Sequence, residues 1–191
     1  MVRRKAGLHR RFLTSTRGVA AVEFAIMFPI LVTLFLASVD AARAIAIYTK
    51  VRSATFTLDA ITNQYTTIQS ADMSAILGAT SVVLAPYSSS PVVVVLSQIK
   101  VSSATSAAVN WSATLNGTAL TQNSSITVPA NFASCPSYPC YLIYGKVSYA
   151  YTPLFMYFTK SAITVSDSLY MTPRVSECIL YPPENITSSP C

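Results

Sequence analysis

Gly18 and Glu23 stand five residues apart in the string Arg17-Gly18-Val19-Ala20-Ala21-Val22-Glu23-Phe24. Here residue types and spacing suggest a covalent event. Gly18 has no side chain, so its backbone can extend and enter a protease cleft at a membrane surface. A cut between Gly18 and Val19 would release everything before it and free an α-amino group on Val19. That amine is largely protonated at neutral pH, with a pKa of ~8. Glu23 is the natural counter-charge. An acidic residue at the bilayer centre costs about 2.5–3.5 kcal/mol, but near a helix end it can snorkel to the interface. In an assembly it can pair with the Val19 ammonium of a neighbouring copy and set the axial register of packed helices.

Other chemistry is sparse. Four cysteines, Cys135, Cys140, Cys178 and Cys191, are an even count that suggests disulfides in an oxidising compartment. Three pairings are open. The preferred one joins Cys135 to Cys140 around a short Pro-containing loop and Cys178 to Cys191 across the tail. A loop that small stabilises by roughly 2 kcal/mol. Zinc is the alternative, but it wants tighter ligand clusters and often His. The sole histidine is His9, near the N-terminus. No metal and no other cofactor is expected. The same shortage removes Ser-His and Cys-His catalysis from the rest of the chain. Asp59, Asp72, Asp167, Glu177 and Glu184 show no paired spacing, although carboxylates can meet in space. The chain is not expected to be an enzyme.

The elements that position Gly18 and Glu23 follow from charge and hydropathy. Six of the 13 basic residues fall within the first 17 positions, without an acidic residue among them. From Val19 onward seven basic residues face seven acidic ones. The net charge of +6 therefore belongs to a leader and not to a folded basic face. That excludes nucleic acid as the expected partner. Val19 to Val39 is apolar apart from Glu23 and spans about 30 Å as a helix, enough to cross a bilayer core. The basic end stays cytosolic by the positive-inside rule. A cleavable secretory signal competes, with small residues at Ala42 and Ala44, but its apolar core would be shorter and uninterrupted. Pro29 lies inside the expected helix, where it removes one backbone bond.

Beyond the span, Tyr48, Val51, Thr55, Leu58, Thr62 and Tyr65 share a helical face, so one helix is expected over about 19–67. Asp40 and Arg43 form an i, i+3 pair just past the apolar run. A second helix is expected at about 71–85 on Met73, Ile76, Leu77, Thr80, Val83 and Leu84, ended by Pro86. Four strands follow, at Val92–Val101, Ala108–Leu115, 141–151 and 162–171, with a turn at Asn116-Gly117. Residues 117–139 carry no sustained period and read as an excursion between strands. The fold class is α+β, a long N-terminal helix leading into a head with a second helix and an antiparallel sheet. The run Leu154-Phe155-Met156-Tyr157-Phe158 beside Pro153 reads as a loop, either core under the long helix, which is preferred, or a surface for a partner subunit.

The pattern around Gly18 resembles a type IV prepilin-like signal, and its details are most similar to TadE/TadF-like pseudopilins of tight-adherence (Tad) pilus systems. The resemblance rests on Gly18, Val19, Glu23-Phe24-Ala25, Phe28-Pro29 and Asp40-Ala41-Ala42-Arg43, and is specific over about residues 17–60. Tyr151-x-Pro153-Leu154-Phe155 and Thr172-Pro173-Arg174 are weaker supports. It implies cleavage after Gly18 by a prepilin peptidase and a structural part in building Flp-type adhesive pili. It also implies a bacterial inner membrane with the head periplasmic, and as partners other pseudopilins or pilins and the Tad assembly platform. The expected division is a leader at 1–18, a transmembrane helix at 19–39 and an extracytoplasmic head at 40–191. The chain is much longer than the major Flp pilin, which favours a pseudopilin over the fibre subunit. The alternatives are an unprocessed type II membrane-anchored binding module and a tethered envelope enzyme.

Overall fold

The computed structural model describes residues 18–90, 92–155 and 161–181. Residues 1–17 of the leader expected at 1–18, Met156–Phe158 of the apolar run, and Cys191 lie outside the described residues. The chain divides into two units, with the boundary between Ala42 and Arg43.

The first unit is the apolar part of helix α1, Val19–Thr62. Its side chains are apolar on every side, so no single face marks a core. Nearly all of its large apolar residues are exposed, from Val19 through Phe35. The helix is long and apolar enough to cross a membrane, and the qualifying window has no residue buried. Thr33 and Ser38 donate their hydroxyls back to the carbonyls of Ile30 and Phe35, at 2.8 and 2.7 Å. Their polarity is thereby satisfied within the helix, as an apolar solvent demands.

The second unit is the α+β head. The remainder of α1 buries Ile47, Val51, Ala54, Thr55, Leu58, Asp59 and Thr62. The buried stripe is rotated slightly from the expected one: Ile47 is inside and Tyr48 outside. The helix also ends at Thr62 rather than near 67. Gln64 and Tyr65 donate to the carbonyls of Ile61 and Thr62, a tightened last turn. The chain then pairs with a distant segment, Ile68 N–H to Leu180 O at 2.8 Å and Leu180 N–H to Thr66 O at 2.9 Å. Tertiary pairing wins over helix extension. Helix α2, Ser70–Leu84, starts where the Asp72 carboxylate accepts the Gln69 amide at 3.2 Å, and buries Met73, Ile76, Leu77, Thr80 and Leu84.

The four strands are β1 Val92–Ser103, β2 Ser106–Leu115, β3 Cys140–Tyr151 and β4 Ile163–Met171. They form an antiparallel sheet in the order β2-β1-β3-β4. Even-numbered β1 residues Val92, Val94 and Leu96 join the helices, Trp111, Ile143, Val147 and Ile179 in the larger core. At the end of β2 the chain doubles back through Asn116 in the left-handed region, φ 56°. A Cβ on the following Gly117 would come within 2.6 Å of Val93 Cγ1, so glycine is required there.

The excursion at 117–139 is built into the head. Asn123, Ser124 and Ile126 exchange backbone hydrogen bonds with Ala107 and Val109, covering the outer edge of β2. The short helix α3, Ala130–Ala133, follows. Ile126, Val128, Phe132 and Cys135 then pack on Ile99, Val101, Ala107 and Leu142 to make a second core on the opposite face of the sheet. The α+β architecture with four antiparallel strands is as expected; the two-sided sheet is not something the period of the strands announced.

Candidate functional site

The residues that could undergo processing sit at the start of the first unit. Gly18 immediately precedes α1, and a Cβ added to it would meet nothing within 4 Å. Packing within this chain therefore does not explain a glycine at that position. Val19 opens the helix, and Glu23 lies one turn further on, exposed, with no hydrogen bond or ion pair among the described residues. Phe24 stacks one turn from Phe28, ring centroids 5.4 Å apart. Pro29 is accommodated inside the helix, which continues past it. Chemically, this is an unpartnered carboxylate on an otherwise apolar rod, one turn from a backbone amide that becomes an ammonium if the chain is cut before Val19.

The head holds a second buried acid. Asp59 projects from α1 against β3, and a Cβ on Gly145 would collide with its carboxylate. Glycine at 145 is thus what lets the helix seat on the sheet. Asp59 is 0% exposed and neither oxygen has a hydrogen-bond partner. Burial pushes its pKa up to about 8. The Gly145 amide pulls the other way, without the geometry of a hydrogen bond, and the Asp167 charge on β4 adds to the rise. Asp167, unrelated to Asp59 in sequence spacing, is thus near enough to act on it through its charge, while Asp59 itself is sealed from solvent.

Cys135 and Cys140 are disulfide-bonded, Cα atoms 6.3 Å apart, and clamp the end of the excursion to the first residue of β3. Tyr138 inside that loop donates its hydroxyl to Ala133 O at 2.9 Å. Cys178 is buried and also disulfide-bonded. The tail beside it is held by side chains that sequence reading did not single out. Trp111 Nε1–H donates to Ile179 O at 2.9 Å, and Ile179 N–H donates to Gln98 Oε1 at 2.7 Å. A lone tryptophan and a glutamine in a β-branched strand were the available signals. One expectation is corrected for the first two residues of the apolar run, where a buried core was preferred: Leu154 and Phe155 are 60% and 37% exposed. The Arg43 side chain lines a groove in the head.

The class is defined by one apolar, uncovered helix of membrane-spanning length among the described residues, together with a packed α+β unit. Residues 18–57 match the family model of TadE-like proteins. The match begins at Gly18 and covers Glu23, Phe24, Pro29 and Arg43, the residues on which the resemblance rests. No curated protein and no solved structure matches the chain.

Proposed function

We propose that this chain is a membrane-anchored pseudopilin that a prepilin peptidase cuts between Gly18 and Val19, and that it acts in assembling Tad/Flp-type adhesive pili. The observation that carries the proposal is the TadE-like match over residues 18–57, which starts at the glycine the fold itself leaves unexplained. In this reading residues 1–18 are the leader, 19–39 the single span of the bacterial inner membrane and 40–191 a periplasmic head. Cleavage places an ammonium on Val19, and Glu23 of a neighbouring pilin or pseudopilin pairs with it as the helices pack. The mature chain is structural, not enzymatic, and its partners are the peptidase, fellow pilins and the Tad assembly platform.

N-terminal sequencing of protein from a host with a prepilin peptidase tests this, with Val19 expected as the first residue. A mature start elsewhere refutes the processing. Glu23→Ala is expected to insert normally but to impair piliation. A second reading, the unprocessed type II anchored binding module, draws on the exposed Leu154 and Phe155. It keeps residues 1–18, so the same sequencing separates the two.

A further inference from the structure

The head contains an open groove of about 470 Å³, lined by Arg43, Ile47, Tyr87, Tyr149, Tyr151 and Thr152 together with Ala150. Its volume falls within the ~300–1,000 Å³ range of small-ligand sites. Ile47, Tyr149 and Tyr151 are buried and form its floor; Arg43 and Thr152 are exposed and stand at its rim. Tyr87 and Tyr149 meet edge to face, centroids 6.5 Å apart, which fixes both rings. Neither the Arg43 guanidinium nor the hydroxyls of Tyr87 and Tyr149 have a hydrogen bond or ion pair among the described residues. The groove thus offers a forked cation and aromatic hydroxyls around an apolar floor, with donors to spare.

Arg43 lies four residues past Val39, the end of the apolar run, on the same helix. That is about 6 Å of axial rise. Donors at that distance from a hydrocarbon span fall in the layer where lipid phosphates lie, and tyrosine is favoured there because its ring and hydroxyl suit the two sides of the interface. Arginine recognises phosphate through paired N–H donors.

We propose that this groove binds the phosphate-bearing headgroup of an anionic phospholipid, with Arg43 on the phosphate and the Tyr87 and Tyr149 hydroxyls on the headgroup oxygens. The proposal rests on residues 19–39 being a membrane anchor.

The test uses the full chain in detergent, with lipid retention read by native mass spectrometry, and flotation with vesicles as the control for anchoring. Both lipids carry the phosphodiester, but choline's ammonium offsets its charge and offers the tyrosine hydroxyls no oxygen, so phosphatidylglycerol is expected to be retained over phosphatidylcholine by about tenfold. Arg43→Gln should abolish that preference while floating normally, and Arg43→Lys should keep part of it. Glycerol phosphate should compete only weakly, because it lacks the lipid tails. Equal retention of the two lipids overturns the headgroup site, as does a preference that survives Arg43→Gln. Free glycerol phosphate bound as tightly as the lipid also overturns it in favour of a soluble phosphate ligand. Crosslinking from Tyr149 to an acidic protein segment instead of lipid does the same in favour of a subunit contact. A wild-type chain that fails to float removes the anchor, and the site with it.

Discussion

Leu34 and Leu58 lie on the same helix and meet opposite surroundings. Leu34 is 63% exposed and Leu58 is 0% exposed. In the first unit nearly all the large apolar side chains are exposed, on a helix long and apolar enough to cross a membrane. In the head every buried position answers to a particular neighbour, Asp59 to Gly145 and Trp111 to Ile179. The two treatments of acid are as different. Glu23 is left open on the outside of the rod, whereas Asp59 is sealed inside and held toward its neutral form. One helix therefore carries an exposed apolar surface at one end and a folding surface at the other.

The largest expected effects come from overfilling or emptying the packed end. Gly145→Val drives a side chain into Asp59, and Leu58→Ala leaves a cavity under the sheet. Each is expected to cost about 2–5 kcal/mol of head stability. Melting followed by Trp111 fluorescence reads that loss, and flotation with vesicles should stay unchanged. Loss of flotation together with folding would break the comparison, because it would make the anchor depend on the head.

Asp59 gives the next effect, in pH. Its ordinary carboxyl pKa in the unfolded chain is ~3.9, and in the folded head it is about 8. Between those values the folded state holds a proton that the unfolded state has lost. Stability is therefore full below about pH 4, declines as pH rises toward 8 and levels off above it. Asp59→Asn should flatten the curve over that window. A wild-type head equally stable at pH 5 and pH 8 would contradict the buried acid. Smaller again is the disulfide: Cys135→Ser with Cys140→Ser is expected to cost roughly 2 kcal/mol, a fall in Tm of about 4–8 °C.

The comparison also explains what could be read from sequence. The long apolar helix was legible because an all-round apolar run needs no partner to be recognised, and Gly18 and Glu23 stand out against it. The strands were legible through their period of two, to within two residues at every end. The stripe on α1 came out one step rotated, Ile47 for Tyr48, because both are apolar enough to satisfy a spacing of three and four. Asp59 and Gln98 were passed over because periodicity assigns polar residues to solvent. Only the sheet and tail opposite them, Gly145 and Ile179, make them interior. The excursion at 117–139 has no period at all. Its place is set by the edge of β2, whose residues Val109 and Ala107 pair with Asn123 and Ile126, 14 and 19 residues further along the chain.

The smallest expected effect is the sharpest test of the division. Leu34→Ala makes the same chemical change as Leu58→Ala, on the same helix. In the head that change strips contacts from a full core. In the apolar half of the helix no such core surrounds the site, since Leu34 is 63% exposed among the described residues. Head stability should therefore move by less than about 0.5 kcal/mol, and insertion should survive because the run remains long and apolar. Any consequence must appear between molecules, as weaker helix packing in the assembled state. A Tm that falls with Leu34→Ala as it does with Leu58→Ala would show that the exposed half of the helix has a partner within the chain, and the two ends would no longer differ in kind.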